Sequence, residues 1–97
     1  CAQIWRMRSV PDLVLLRSFA AELKARRTAL GISQEELAGR SGVNRTFVGK
    51  IETAKSQPSL TMLFRLGHGL NCEVPELLAS VVQRSKIEQR TAKTHLQ

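Results

Sequence analysis

The sequence is poor in aromatic residues and has no long apolar run. Its 97 residues include three phenylalanines, one tryptophan and no tyrosine, so stacking on single-stranded bases is not the favoured mode of nucleic-acid binding. The longest stretch without a charged residue falls far short of the roughly 20 residues that a membrane-spanning helix needs. We therefore expect a soluble protein.

Cysteine and histidine are equally scarce. Cys1 and Cys72 belong to no paired-cysteine motif, and His68 and His95 lie far from any ligand spacing, so we predict neither a metal site nor a bound cofactor. The isolated thiols suit a reducing cytoplasm. No nucleophile, base and orienting group can be assembled from the sequence, which makes an enzyme the weakest functional class.

Acidic residues are few compared with basic ones. There are 15 Lys and Arg against 8 Asp and Glu, which gives a net charge of +7 and a sequence pI near 10.5. Such an excess favours a polyanionic partner, either nucleic acid or an acidic membrane surface.

The most informative stretch is QEELAGRSGVNRTFVGKIET, which predicts two short helices joined by a tight turn. Ser33 followed three residues later by Glu36 is the pattern of a capping box, so the first helix is predicted to begin at Gln34. Gly42 suits the turn because glycine adopts left-handed backbone angles without a Cβ penalty. Asn44 is a favoured cap for the second helix.

The second of these helices has an apolar face and a polar face. Phe47, Val48 and Ile51 fall at the three- and four-residue spacing of a buried stripe. A small residue where two helices cross, a glycine at the corner and apolar residues at fixed offsets are the steric requirements of a helix-turn-helix. The opposite, polar face carries Arg45, Thr46, Gly49 and Lys50.

Three further helices are predicted around this motif. Proline in first turns, serine caps and helical spacing of apolar residues place them at about residues 10–30, 60–71 and 73–90. With no strand-like alternation, the chain is predicted to be an all-α bundle of five helices. The helix after the motif carries Leu60, Leu63, Phe64, Leu66 and Leu70.

The chain length is that of one domain, which buries only about two thirds of its unfolded surface. We predict a flexible segment over residues 1–8, which contains Trp5, and a helix-turn-helix domain over residues 9–83. Residues 84–97 are predicted to be a basic C-terminal extension of the last helix, or a tail.

The stretches ISQEELA, SGVNRTFVGKIE and PSL closely resemble the phage-repressor-like, or XRE-type, helix-turn-helix family. Within that family they look most like the controller proteins of restriction-modification systems. The resemblance covers about residues 19–78 and implies a lambda-repressor-like DNA-binding domain. It also implies an ion pair between Arg27 and Glu52, which would tie the first helix to the third; the alternative is a solvated Arg27.

A recognition helix lies in the major groove with its first turns against base edges. We predict that Arg45 reads a guanine, because its planar guanidinium can bond O6 and N7 together. Thr46 offers a hydroxyl or a methyl group, and Lys50 points into the same groove. By resemblance, these three residues stand where phage repressors place their base-contacting side chains. Gly49 has no side chain, which means either a close approach to DNA or an unread position.

A second set of residues is predicted to contact the DNA backbone. The first turn of helix two has free amides and the positive end of the helix dipole, both of which suit a phosphate oxygen. The cap of helix three and the linker after it offer further polar groups. For the charged residues the alternative is an ordinary solvated face. The predicted backbone contacts are Gln34, Asn44, Lys55, Ser56 and Gln57.

One such domain covers too little duplex for tight specific binding, so a homodimer is expected. Two-fold pairing would set two recognition helices about 34 Å apart, to match half-sites one helical turn apart. The predicted interface is an apolar stripe on the fifth helix, together with the end of the fourth; the alternative is that this stripe packs on its own core. The stripe is Leu77, Leu78, Val81 and Val82.

These features predict a sequence-specific regulator of transcription that binds double-stranded DNA in a bacterium or phage. Its occupancy would be set by its own concentration, through dimerisation and cooperative binding of two dimers per operator, as in a controller-type autoregulator. An antitoxin of a toxin-antitoxin operon and a phage-type repressor are alternatives from the same family. RNA polymerase or a toxin would be a further partner. A protein-binding adaptor is the alternative from another class, because fold does not fix function.

Overall fold

The computed structural model describes residues 12–96, and it describes side chains through residue 90. Within this range the chain forms helices joined by turns and loops, and it contains no strand. The predicted all-α, five-helix architecture is confirmed for this range. The predicted flexible segment, with Trp5, lies outside the described residues. The helices are α1 Leu13–Ala29, α2 Gln34–Ser41, α3 Arg45–Glu52, α4 Leu60–Gly69 and α5 Val74–Leu96.

The first four helices each begin after a residue whose side chain caps them. In each case a side-chain oxygen accepts a hydrogen bond from a backbone amide two or three residues further on, at 2.7 to 3.2 Å. Each bond satisfies a donor that the helix itself leaves unpaired. The predicted caps of α2, α3 and α4 are confirmed. The four caps are Asp12, Ser33, Asn44 and Ser59.

Two helix ends differ from the predicted ones. Asp12 is extended, with φ −78° and ψ 104°, so α1 begins at Leu13; the predicted start at about Val10 lies outside the described residues. The Asp12 carboxylate caps the helix at this point by accepting from a backbone amide. At the C-terminal end of the chain, α5 continues to Leu96 and not only to Arg90; ion pairs at Arg84 and Glu88 hold the part of the helix before Arg90 on α1.

Buried apolar residues from all five helices form one core. The motif helices contribute through the faces that the sequence predicts, and Ala38 is 4% exposed where α2 meets its neighbours. Val43 and Phe47 pack against this core at its edge. Burial of this kind is the main force that holds short helices in place. The largest fully buried side chains are Leu23, Leu37, Val48, Ile51, Leu66 and Leu77.

An ion-pair network holds α5 against α1. The buried Glu22 carboxylate accepts from Arg26 Nε at 2.6 Å and from Arg84 Nε at 2.7 Å, and Arg17 Nε donates to Glu88 at 2.8 Å. Burial acts to raise the pKa of Glu22, but the hydrogen bonds and charges of Arg84 and Arg26 outweigh it, and the net pKa is lowered. The carboxylate therefore stays charged at neutral pH and fastens the two helices together.

Helices α2 and α4 approach closely at Ser41 and Gly69. A Cβ atom on Gly69 would lie 2.1 Å from Ser41 Oγ and 3.0 Å from Leu37 Cδ1. The Ser41 hydroxyl is buried and has no hydrogen-bond partner among the described residues. This close crossing sets the helix-turn-helix against α4.

We expect Gly69→Ala to lower the free energy of unfolding by about 1 to 3 kcal/mol, because the added methyl overpacks the crossing. Adding Ser41→Ala removes the nearest clashing atom and leaves neighbours at 3.0 and 3.2 Å, so the double variant should recover part of this loss. Urea denaturation of the two single variants and the double variant measures the coupling. Strictly additive losses would contradict a clash between these positions.

Candidate nucleic-acid interface

The turn between α2 and α3 has the geometry that the sequence predicts. Gly42 is left-handed with φ 69° and ψ 32°, and the Val43 amide donates to the Ala38 carbonyl at 3.0 Å. A contact from outside the motif was not predicted: Arg65 Nη1 on α4 donates to the Gly42 carbonyl at 3.0 Å. The two residues are 23 positions apart, so no local sequence pattern signals this bond. The bond holds the turn between α2 and α3 against α4.

The outward face of α3 carries the three predicted base-reading residues. Arg45, Thr46 and Lys50 are exposed, whereas Val48 and Ile51 on the opposite face are 0% and 1% exposed. Within the described part of the chain, the Arg45 and Lys50 side chains make no hydrogen bond or ion pair. The structure therefore brings these residues together on one open surface, and their role in base reading stays a prediction.

Arg27 and Glu52 form the ion pair that the family resemblance implies. Arg27 Nε lies 2.6 Å from Glu52 Oε2 and Nη2 lies 3.0 Å from Oε1, so the pair is bidentate; Arg27 Nη1 also donates to the Ile32 carbonyl at 2.8 Å. The two side chains are 12% and 3% exposed, so the alternative of a solvated Arg27 is wrong. The hydrogen bond to Glu52 outweighs burial and raises the pKa of Arg27. The pair ties the end of α3 to α1.

Gln34 joins this pair through its side chain. Its Nε2 donates to Glu52 Oε1 at 3.0 Å, and its Oε1 lies beside Gly49 on α3. Sequence reasoning assigned Gln34 to a phosphate contact and missed this interaction, because the partner is 18 residues away and no local pattern points to it. The main-chain amide of Gln34 still lies in the first turn of α2.

Asn44 stands at the start of α3. Its Oδ1 accepts from the Thr46 amide at 2.7 Å, so the side-chain oxygen serves as the helix cap. Asn44 is exposed, and its Nδ2 group is the donor that an acceptor such as a phosphate oxygen would meet.

The remaining predicted backbone contacts lie in the loop after α3. Ala54 adopts a left-handed φ of 58°, which a non-glycine residue takes at a cost, and the Lys55 amide donates to the Lys50 carbonyl at 2.8 Å. Lys55 and Gln57 are exposed and Ser56 is half-buried. The loop thus continues the polar face of α3, and its contact with DNA stays a prediction.

An apolar groove lies between α1, α4 and α5, bordered at one end by the same loop; we call it the α1–α5 groove. Leu15 on α1 is 46% exposed and Leu78 on α5 is 39% exposed, so both present apolar surface at its rim. The sequence did not single out Leu15. Its place in a broad apolar stripe on the helix does not show whether it lies in the protein core or at the rim of a groove. The groove is lined mainly by Leu15, Leu16, Phe19, Leu63, Leu78 and Val81.

The predicted dimer stripe on α5 divides into two halves. Leu77 and Val81 are 0% and 2% exposed, so they pack in the chain's own core, and Val81 also lines the floor of the α1–α5 groove. Their assignment to a dimer interface stays a prediction. Leu78 and Val82 are 39% and 45% exposed, and their assignment stays a prediction. The split arises because successive stripe residues differ by about 100° around a helix.

A second exposed apolar surface lies on the outer face of α4. Leu60 and Phe64 are 72% and 57% exposed, and His68, one turn further on, is also exposed. Of the apolar residues that the sequence places on this helix, Leu66 and Leu70 are buried in the core. Leu60 and Phe64 instead form an apolar patch beside the end of α2.

None of the helices described is long and apolar enough to cross a membrane. In the same part of the chain, no group of three or more His, Cys, Asp or Glu residues is placed to hold a metal ion. Burial raises the pKa of the Cys72 thiol, although the nearby Arg26 opposes the shift. The thiol therefore has little thiolate character at neutral pH.

The five-helix arrangement, the glycine turn and the open polar face of α3 are those of a helix-turn-helix domain. The sequence profile of the helix-turn-helix family matches residues 23–77. The chain belongs to this family.

Similar proteins include controllers of restriction-modification systems. The control protein C.SmaI of Serratia marcescens is 37% identical over 59 residues, which cover 61% of this chain and 70% of that protein. The crystal structure of the restriction-modification controller protein C.AhdI from Aeromonas hydrophila is 40% identical, with a TM-score of 0.62 over 64% of this chain and 94% of that chain. The clp gene regulator ClgR from Corynebacterium glutamicum shares the fold at 21% identity, with a TM-score of 0.79 over 88% of this chain and 90% of that chain.

Proposed function

We propose that this chain is a sequence-specific regulator of transcription that binds double-stranded DNA, of the restriction-modification controller type. The observation that carries the proposal is the exposed face of α3 with Arg45, Thr46 and Lys50, on a helix whose end is held by the buried Arg27–Glu52 pair. The names of the two controller relatives support the same function.

In this proposal α3 enters the major groove. Arg45 bonds O6 and N7 of a guanine, while Thr46 and Lys50 contact neighbouring base edges. The net charge of +7 supplies the sequence-independent attraction to phosphate. The DNA backbone is held by the main chain of Gln34 at the start of α2, and by Asn44, Lys55, Ser56 and Gln57.

A two-fold operator would be bound by a homodimer. We propose that the second subunit covers the α1–α5 groove, with Leu78 and Val82 of each chain at the contact. The groove is lined mainly by residues of α1, α4 and α5, and it adjoins the proposed DNA-binding surface only at its loop border, where Gln57 lies. In such a dimer the groove is covered by the second subunit, while the polar face of α3 stays open for DNA. The spacing of the two half-sites then matches the spacing of the two α3 helices.

The same arrangement accounts for control by concentration. Dimerisation and the cooperative binding of two dimers to one operator both depend on protein concentration, so such a regulator responds to its own amount. We propose that the chain regulates its own operon in this way, in the cytoplasm of a bacterium or of a phage-infected cell.

The apolar outer face of α4 favours a further protein partner in addition to DNA and the second subunit. Leu60 and Phe64 are the kind of exposed apolar pair that marks a protein contact. A partner bound there, such as RNA polymerase or a toxin, would link operator binding to activation or to antitoxin activity.

The proposed base reading is tested by Arg45→Ala. Wild type is first used to select preferred duplexes from a randomised pool, and binding is then titrated at several salt concentrations. We expect Arg45→Ala to lose about 1 to 3 kcal/mol of discrimination at one base pair in each half-site, since the bidentate contact is gone. The Lys55→Ala control should weaken all duplexes alike and reduce the salt slope by about one. Equal binding of wild type to all duplexes would remove the sequence-specific function.

A further inference from the structure

The polar face of α3 has a gap at its centre. Gly49 lies one helical turn after Arg45 and Thr46 and directly before Lys50, so a side chain at this position would stand among the proposed base-reading residues. The nearest atom to the ideal Cβ position on Gly49 is Gln34 Oε1, at 3.8 Å. The amide oxygen of a residue on α2 therefore lies where α3 presents no side chain of its own.

The orientation of the Gln34 amide is determined by its partner. Glu52 Oε1 lies 3.0 Å from Gln34 Nε2, and a carboxylate has no hydrogen to donate, so the nitrogen must face it. Glu52 is itself held by two bonds from Arg27. The oxygen of Gln34 must therefore point away from Glu52, toward Gly49.

We propose that Gln34 is a specificity-determining residue. Its side chain contacts a base in the space that Gly49 leaves open on the polar face of α3. Its Oε1 accepts a hydrogen bond from an amino group in the major groove, either adenine N6 or cytosine N4. Because Nε2 carries two hydrogens and gives one to Glu52, the second is available for adenine N7, which favours adenine. The proposal rests on the proposed function and adds to it a base contact from α2, beside the phosphate contact of the Gln34 main chain.

The test compares base preferences. Wild type, Gln34→Met and Gln34→Asn each select duplexes from the same randomised pool, and the selected duplexes are sequenced. Methionine keeps the length of the side chain without an acceptor, and asparagine keeps the amide but falls one methylene short of Gly49. We expect both variants to lose a roughly 5- to 150-fold preference for adenine at one position per half-site, while the preference that depends on Arg45 persists. The matched control is Gln89→Met, an exposed glutamine on α5.

A base analogue identifies the group that is read. Replacing adenine at that position by 2-aminopurine removes the N6 amino group from the major groove, and it should weaken wild type by about the same factor as Gln34→Met, with no further effect on that variant. A preference for cytosine at the position would assign the contact to N4. If Gln34→Met lowers affinity for every duplex equally and keeps the adenine preference, Gln34 is only a support for Glu52 and the proposal is wrong. Absence of any preference in wild type would instead remove the proposed function itself.

Discussion

An Arg27→Met variant is expected to unfold with a free energy about 3 to 5 kcal/mol below that of the unsubstituted chain. The substitution leaves the Glu52 carboxylate, which is 3% exposed, with only the neutral amide of Gln34 as a partner. It also removes the bond to the Ile32 carbonyl. A domain of this size is stabilised by about 5 to 15 kcal/mol in total, so the loss is a large part of its stability. Urea denaturation followed by circular dichroism, at one protein concentration, measures it.

The control for this prediction is Arg40→Met. Arg40 pairs with Glu36 at 3.0 Å, but the two side chains are 46% and 51% exposed, so their pair contributes only about 0.3 to 0.5 kcal/mol. The double variant Arg27→Met with Glu52→Met should recover part of the loss, because no charge is then left buried. Equal effects of Arg27→Met and Arg40→Met would contradict the central role of the buried pair.

A Leu78→Glu variant is expected to raise the dissociation constant of the proposed dimer by about a hundredfold or more. In a two-fold interface each substitution occurs twice, so two carboxylates would be buried at a cost of several kcal/mol each. Since Leu78 is 39% exposed in the single chain, the variant subunit should still fold. Sedimentation equilibrium over a range of concentrations measures the constant, and circular dichroism checks the fold.

Phe64→Glu is the matched control, because Phe64 is also a large exposed apolar residue, 57% exposed, but lies outside the α1–α5 groove. It should leave the oligomeric state unchanged. Dissociation by Phe64→Glu without dissociation by Leu78→Glu would move the interface to the outer face of α4.

Much of the fold could be predicted because its signals are local. Ser33, Asn44 and Ser59 act on amides two or three residues away, and Gly42 meets a requirement of its own backbone. The Arg27–Glu52 pair joins residues far apart along the chain, and only the family resemblance pointed to it. The contacts of Gln34 with Glu52 and of Arg65 with Gly42 join distant residues without any local pattern or family resemblance, so the sequence did not predict them.

The surfaces were harder to predict than the helices. An apolar stripe on α5 indicates that one side of the helix is buried, but it does not tell how much of the stripe the core covers. Leu77 is covered completely and its neighbour Leu78 is not, because Leu78 lies about 100° around the helix from Leu77. The outer face of α4 illustrates the same point, since Leu60 fits a helical apolar pattern and yet lies at the surface.

The unbroken course of α5 has a mechanical consequence. At 23 residues the helix is about 35 Å long, and it continues well past residue 77, where the match to the family ends. Arg84 pairs with Glu22 and Glu88 pairs with Arg17, so α5 is fastened to α1 at two places along its length. Because Leu78 and Val82 lie on the same unbroken helix, the direction in which they face a second chain is fixed by the packing of α5 on α1.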